Sequence, residues 1–214
     1  MLIRHIRPQS FTVSDACNYF LESCEHRVKR NDLAARTFAD YRATCKSLTA
    51  MLGRDATVSK LEPHRFREVI DTIAAKRNVI GTANEVSRIK TMFKCCVLEG
   101  LLDGEPKYGP DFRQPKAKSI RAHRARQPAK AFSTTELLAT LDECGVHLRA
   151  MTLLGVNCGF SNSDCSTMPL DAVNLETGWV DFARAKTAVE RHVPLPDEFS
   201  RLDRFQYFAQ ETVP

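Results

Sequence analysis

The sequence lacks any long apolar run, because charged residues break every hydrophobic stretch of the 214-residue chain. A membrane-spanning helix needs about 20 consecutive apolar residues, so no membrane partner is expected. The opening MLIRHIRPQS has no apolar core of the kind a secretory signal carries, and the expected location is cytoplasmic. Metal-type cysteine spacing is also missing. Cys17, Cys24, Cys45, Cys95, Cys96, Cys144, Cys158 and Cys165 form no CxxC pair. Several fall at apolar helix positions, so buried, reduced thiols are the first expectation and zinc ligation the weaker alternative. There is no internal repeat. What is present is an ordinary hydrophobic content of 43%, enough for one large or two small cores.

The net charge of +5 is unevenly spread. Residues 1–103 hold 17 basic against 12 acidic side chains, residues 104–130 hold 8 against 2, and residues 131–214 hold 6 against 12. A basic first half and a basic connection suit a polyanion, while the acidic last part suits one less well.

Residues 1–10 read as a loose lead-in. Ser14 can cap a helix that places Ala16, Cys17, Phe20, Leu21 and Cys24 on one face. A second helix is expected over about 35–52, with Phe38, Tyr41, Cys45, Leu48 and Leu52 as its stripe and Gly53 as its stop. A third begins near Pro63 and buries Phe66, Val69, Ile70 and Ile73. A fourth opens on Thr82-Ala-Asn-Glu85, which has the form of a capping box, and buries Val86, Ile89, Phe93, Cys96 and Val97 before Gly100. Four amphipathic helices in this span make a small all-α domain, 11–103.

Residues 104–130 hold Pro106, Pro110, Pro115 and Pro128, and between Phe112 and Lys130 there are seven Lys/Arg and no acid. This composition predicts an extended, poorly packed linker, either threaded along phosphates or serving as a solvated hinge. A second domain, 131–214, starts with a capping box on Ser133 and Glu136, followed by Leu137, Leu138, Leu141 and Cys144 at helical spacing. Residues 146–156 read as a buried helix. Gly159 ends it, and the polar turn Ser161-Asn162-Ser163-Asp164 opens the next. Two alternating runs, 179–184 and 191–195, flank a turn with Lys186 and Thr187, which reads as a β-hairpin. A last amphipathic piece spans 197–208.

Two sets of residues carry a resemblance. Thr37, Tyr41 and Arg42 on the second helix, with Thr82, Ile89, Lys90, Phe93 and Leu98-Glu-Gly-Leu-Leu102 on the fourth, resemble the SAM-like core-binding domain of tyrosine recombinases, the phage integrase family. The order helix, Gly159, polar turn, helix, Leu170-Asp-Ala-Val-Asn-Leu175, hairpin with Lys186-Thr187, then Val193-Pro-Leu195 resembles the first half of that family's catalytic domain. The resemblance implies a mainly α fold: a four-helix core-binding domain, a linker, and a partial α+β catalytic-like domain with a small hairpin or sheet. It also implies double-stranded DNA as partner and no cofactor or metal.

The family's chemistry is site-specific DNA recombination through a tyrosine nucleophile, and the resemblance implies that it is disabled here. Ser161 stands where the family has its first catalytic arginine, and Asp164 is the acidic neighbour three positions on. An arginine fork donates two charge-assisted hydrogen bonds to a phosphate, whereas a serine has one neutral donor. Lys186 falls on the family's general-acid lysine and is expected to be vestigial; the plainer reading is a lysine at a hairpin tip. The family's histidine–x–x–arginine motif and tyrosine lie further on, so the chain reads as truncated. His123-Arg-Ala-Arg126 matches that motif by letters but lies in the linker, before Ser161. Tyr207, between Phe205 and Phe208, follows the hairpin too soon to be the nucleophile and reads as a core or interface residue.

For DNA contact the candidates are Arg36, Thr37, Arg42 and Lys46 on the second helix, Arg88, Lys90, Thr91 and Lys94 on the fourth, and Arg121, Arg124 and Arg126 in the linker. Each has the alternative of a solvated surface residue. Such contacts position a protein on phosphates without reading sequence. The expected function is that of an integrase-like DNA-binding protein that does not cleave. One alternative is an active recombinase half completed by a second polypeptide. Another is an interaction module that has lost DNA binding and self-associates or recruits a full-length recombinase, since half a catalytic domain exposes apolar surface.

Overall fold

Residues 10–128, 131–184 and 187–195 are described in the computed structural model of the chain, which divides into two units, 1–128 and 129–214. Lys186, Tyr207 and the expected helix over 197–208 lie outside the described residues.

In the first unit, α1 spans Val13–Lys29, α2 Ala35–Leu52, α3 Pro63–Lys76 and α4 Val79–Leu98. Most of the expected stripes are the core: Ala16, Cys17, Phe20 and Cys24 meet Cys45, Leu48 and Leu52, then Phe66, Val69 and Ile73, then Val86, Ile89, Phe93 and Cys96, while Leu21, Phe38, Tyr41, Ile70 and Val97 are only half-buried. Two expected starts are corrected. The cap of α1 is Thr12, not Ser14: Asp15 N donates to Thr12 Oγ1 at 3.1 Å and Thr12 N donates to Asp15 Oδ2 at 2.9 Å. Position 15 supplies the returning acceptor, which Cys17, three residues after Ser14, cannot. The fourth helix starts three residues before the expected box. Asn78 caps it by accepting from Gly81 N at 2.8 Å. Thr82 lies inside the helix, and Glu85 turns inward to 4% exposure instead of reaching back to a cap.

The linker reading also needs correction. Pro106 and Phe112 are buried, Phe112 to 1% exposure. Phe66 is ringed by Tyr108 at 5.0 Å, Phe112 at 5.2 Å and Phe93 at 6.2 Å between ring centroids. Two aromatics, Tyr108 and Phe112, among few apolar neighbours are enough to anchor a strap that composition alone scores as unpacked. Gly109 is required where the strap turns: its φ is +73°, and a Cβ there would lie 2.8 Å from Pro63 Cβ. Beyond the strap, residues expected to be extended form a helix, α5 (Ala117–Ala125), which packs on α4.

The second unit builds α6 (Thr134–Glu143), α7 (Val146–Cys158) and α8 (Asn162–Thr167), followed by β1 (Val173–Asn174), β2 (Trp179–Asp181) and β3 (His192–Pro194). The Ser133 and Glu136 capping box opens α6 as expected. The hairpin is present as β2 and β3, antiparallel, with Val180 opposite Val193. The sequence reading missed β1, which pairs Val173 with Val180. These three valines make the inner face of a sheet ordered β1-β2-β3 over Ala150, Leu153, Leu154, Cys158 and Phe160. The molecule is therefore mainly helical with a small antiparallel sheet. No helix among the described residues is long and apolar enough to cross a membrane.

Phe112→Ala is expected to cost about 3–5 kcal/mol, measured as a lower denaturation midpoint of the whole chain. A solvated connection would show a change within about 0.5 kcal/mol.

Candidate nucleic-acid interface

Helix α4 splits its polar residues between two faces. Lys90, Thr91 and Lys94 lie on the outer face, where with Ser87, Glu105 and Gln114 they line a shallow cleft of about 450 Å³. The Lys90 ammonium sits 5.1 Å from the Tyr108 ring centroid, so the strap that closes the core also positions this lysine. Arg88 faces the other way. Its Nη2 donates to Asp40 Oδ2 of α2 at 2.7 Å, and its Nη1 donates to Glu85 Oε1 at 3.3 Å. The Glu85 side chain is 5% exposed and also meets Arg77 Nη2 at 3.0 Å and the Thr44 hydroxyl at 2.8 Å. A buried carboxylate needs such partners. Arg88 is thereby occupied with joining α2 to α4, and its charge is offset by two acids.

The other predicted residues are placed as follows. On α2, Arg42 and Lys46 are exposed and Thr37 is half-buried beside the core. Arg36 is exposed and lies 3.8 Å from Asp40. On α5, Arg121 and Arg124 are exposed, Ile120 and His123 are half-buried, and Arg126 is the exposed C-cap. His123 thus lies on the basic helix α5 of the first unit and Arg126 caps its end, where an extended basic tract was expected. The structure brings together Lys90, Thr91 and Lys94, with α5 packed against the same helix. It separates Arg88 from them.

In the second unit Ser161 and Asp164 form a capping box at the start of α8. Asp164 Oδ2 accepts from Ser161 N at 2.8 Å and from Ser161 Oγ at 2.8 Å, and Asp164 N donates to Ser161 Oγ at 3.2 Å. Ser161 is thus the cap of α8 and Asp164 its partner in the first turn. Two arginines that the sequence reading did not single out converge on this turn. Arg184 Nε lies 3.6 Å from Asp164 Oδ2, and Arg191 Nη1 donates to Gly159 O at 3.0 Å. They come from the two arms of the hairpin, where Phe182 N donates to Arg191 O at 3.0 Å and Arg184 N to Val189 O at 2.9 Å. The available signal was a pair of arginines flanking the hairpin tip in an otherwise acidic segment.

The Ser161 backbone N–H, then its hydroxyl, then Arg184 and Arg191 hold the Asp164 carboxyl below its ordinary pKa of 3.8. A lowered carboxyl pKa contributes stability that is complete above the unfolded value and lost as the pH falls through the folded one. Asp164→Asn is therefore expected to lower Tm at pH 7, with the gap to the unsubstituted chain closing below pH 3.8. Thermal melts followed by circular dichroism from pH 7 to about pH 3 check this; a gap independent of pH contradicts it.

No family model and no curated protein matches the sequence. Solved structures do match. A lambda integrase tetramer bound to a Holliday junction superposes with a TM-score of 0.64 at 14% identity, covering 94% of this chain and 56% of that one. A lambda integrase dimer bound to a COC' core site gives 0.61 at 16% identity, covering 86% and 49%. The Tn1549 transposon integrase in complex with transposon right end DNA gives 0.67 at 10% identity, covering 95% and 66%. This chain thus spans about half to two thirds of the length of each. At such identities the likeness is one of fold, and in those terms the chain has the tyrosine-recombinase, or integrase, fold.

Proposed function

We propose that this chain is an integrase-like protein that binds duplex DNA through its first unit and does not itself cut it. The observation that carries the reading is the outer face of α4. Lys90, Thr91 and Lys94 line one cleft there, against a helix whose surroundings, residues 113–130, hold seven basic residues and no acid. Arg42 and Lys46 of α2, and Arg121, Arg124 and Arg126 in and after α5, extend the set of exposed cations. Arg36 and Thr37 are secondary contacts. Arg88 contributes by joining α2 to α4. The DNA complexes of the lambda and Tn1549 integrases support the same partner.

The non-cleaving part rests on Ser161. Its hydroxyl is engaged with Asp164, and the turn carries no guanidinium of its own. Removing one placed donor from a transition-state oxyanion costs about 3–4 kcal/mol, and a charged fork is worth at least as much. Lys186 keeps the residue type of a general acid, which alone does not suffice for strand transfer.

A second reading has one observation in its favour. Of the large hydrophobic residues exposed among the described ones, all but Leu98 lie in the second unit, Leu138, Leu148, Val156 and Leu175 among them. That surface suits self-association or a recombinase partner.

Fluorescence anisotropy with a random-sequence duplex, over a salt series, tests the proposal. The chain is expected to bind with an affinity that falls linearly, on logarithmic axes, with salt. The paired substitution Lys90→Gln and Lys94→Gln is expected to reduce that slope by about 0.9 for each phosphate that is no longer neutralised. Absence of binding at about 50 mM salt overturns the duplex reading, and a covalent protein–DNA adduct overturns the non-cleaving one.

A further inference from the structure

We infer that a groove of the first unit, between the segments 58–63 and 101–107, is a docking site for the chain's own lead-in, residues 2–7. The inference does not depend on duplex binding and assigns an occupant to a cleft that the proposed function leaves unused.

The groove encloses about 970 Å³. Its floor is apolar: Val58, Leu61 and Pro106 are buried, and Phe11, Leu101 and Leu102 are half-buried. Its rim is charged and exposed, with Glu62, Asp103 and Glu105 set among Lys60 and Lys107. An apolar floor inside a polar rim is the make-up of a site that takes up another apolar surface.

The backbone decides which one. Thr12 and Thr57 form an antiparallel bridge. Val13 N donates to Ala56 O at 2.9 Å, and Val58 N donates to Phe11 O at 2.9 Å. In an antiparallel pair, one chain followed toward its N-terminus runs alongside the other followed toward its C-terminus. The chain that precedes Phe11 is therefore aimed along Ser59 to Pro63, which form one wall of the groove. Phe11 itself lines that groove, so the lead-in is tethered at its mouth. Tethering turns the filling of the groove into an intramolecular event and favours this segment over a free peptide.

The chemistry of the segment matches. Leu2, Ile3 and Ile6 supply apolar side chains for the floor, and Arg4 and Arg7 supply cations for a rim with three acids and two lysines. Apolar burial drives the seating, while exposed charge pairs add little to its strength and fix its direction. The wall 101–107 runs straight on into Tyr108, which packs on Phe66 and lies beneath the Lys90 ammonium. A seated lead-in thus braces the approach to the strap.

Amide spectra of the full chain, without nucleic acid, test this. Ile3→Asp together with Ile6→Asp is expected to shift the amides of Ser59, Leu61, Leu102 and Gly104, which are remote from positions 3 and 6 in sequence. The amides of Ile89 and Phe93 in the helical core are expected to stay in place, which shows that the fold is intact. The reciprocal substitution Leu102→Ala is expected to shift the amides of Ile3 and Ile6; if that variant does not fold, the lead-in variant decides alone. Shifts confined to residues 1–12 overturn the inference. Groove amides of the parent chain that move on about tenfold dilution also overturn it, because the occupant then comes from a second copy. With no duplex in the sample, either result leaves the duplex reading to its own test.

Discussion

A carboxylate buried to 5% exposure between two helices governs the first unit. Glu85 is held there by Thr44, Arg77 and Arg88, which come from α2, the residues just before α4, and α4 itself. Removing one partner from such a cluster typically costs about 3–5 kcal/mol, so the rotation of α4 against α2 is closely constrained. Arg88 is drawn inward, and Lys90, Thr91 and Lys94 are left facing out. The same α4 that buries Ile89, Met92, Phe93 and Cys96 therefore presents its cations on the opposite side. Inner charge pairing and outer surface are two consequences of one helical rotation.

The strap over residues 106–112 couples core packing to that surface. Tyr108 packs on Phe66 and on Phe93 and lies beneath the Lys90 ammonium. The basic residues after it are delivered onto a fixed platform, not trailed through solvent. In the second unit the corresponding device is the Ser161 and Asp164 box, where a helix start and an ion pair with Arg184 share one carboxylate oxygen. The local charge at that turn is opposite in sign to the segment around it.

Much of this architecture is legible in the residues alone. The bounds of α2 follow from the Phe38-to-Leu52 stripe and Gly53, and the end of α7 from Gly159, whose φ of +67° lets the chain leave the helix. The missed features share physical causes. The two-residue strand β1 is too short to show alternation. The S/T-x-x-E pattern at Thr82 is ambiguous, because a threonine inside a helix can donate to the carbonyl four residues back, as Thr82 does to Asn78 O at 3.0 Å. α5 is hidden by its charges, since composition reads local solvation and not the two half-buried positions, Ile120 and His123, that seat it. Arg88 looks like a surface cation because its partner Asp40 is 48 residues away. Arg184 and Asp164, 20 positions apart in sequence, are likewise joined only by the fold.

The measurement that bears most directly on the central claim is backbone amide chemical-shift mapping of the full chain as a random-sequence duplex is added. The account predicts shifts concentrated on Ser87 to Lys94 of α4 and on the α5 segment around Arg121 and Arg124, with Glu85, Thr44 and the aromatic cluster around Phe66 largely unmoved. Shifts absent from those helices, or confined to exposed apolar positions of the second unit such as Leu138 and Leu148, would contradict it.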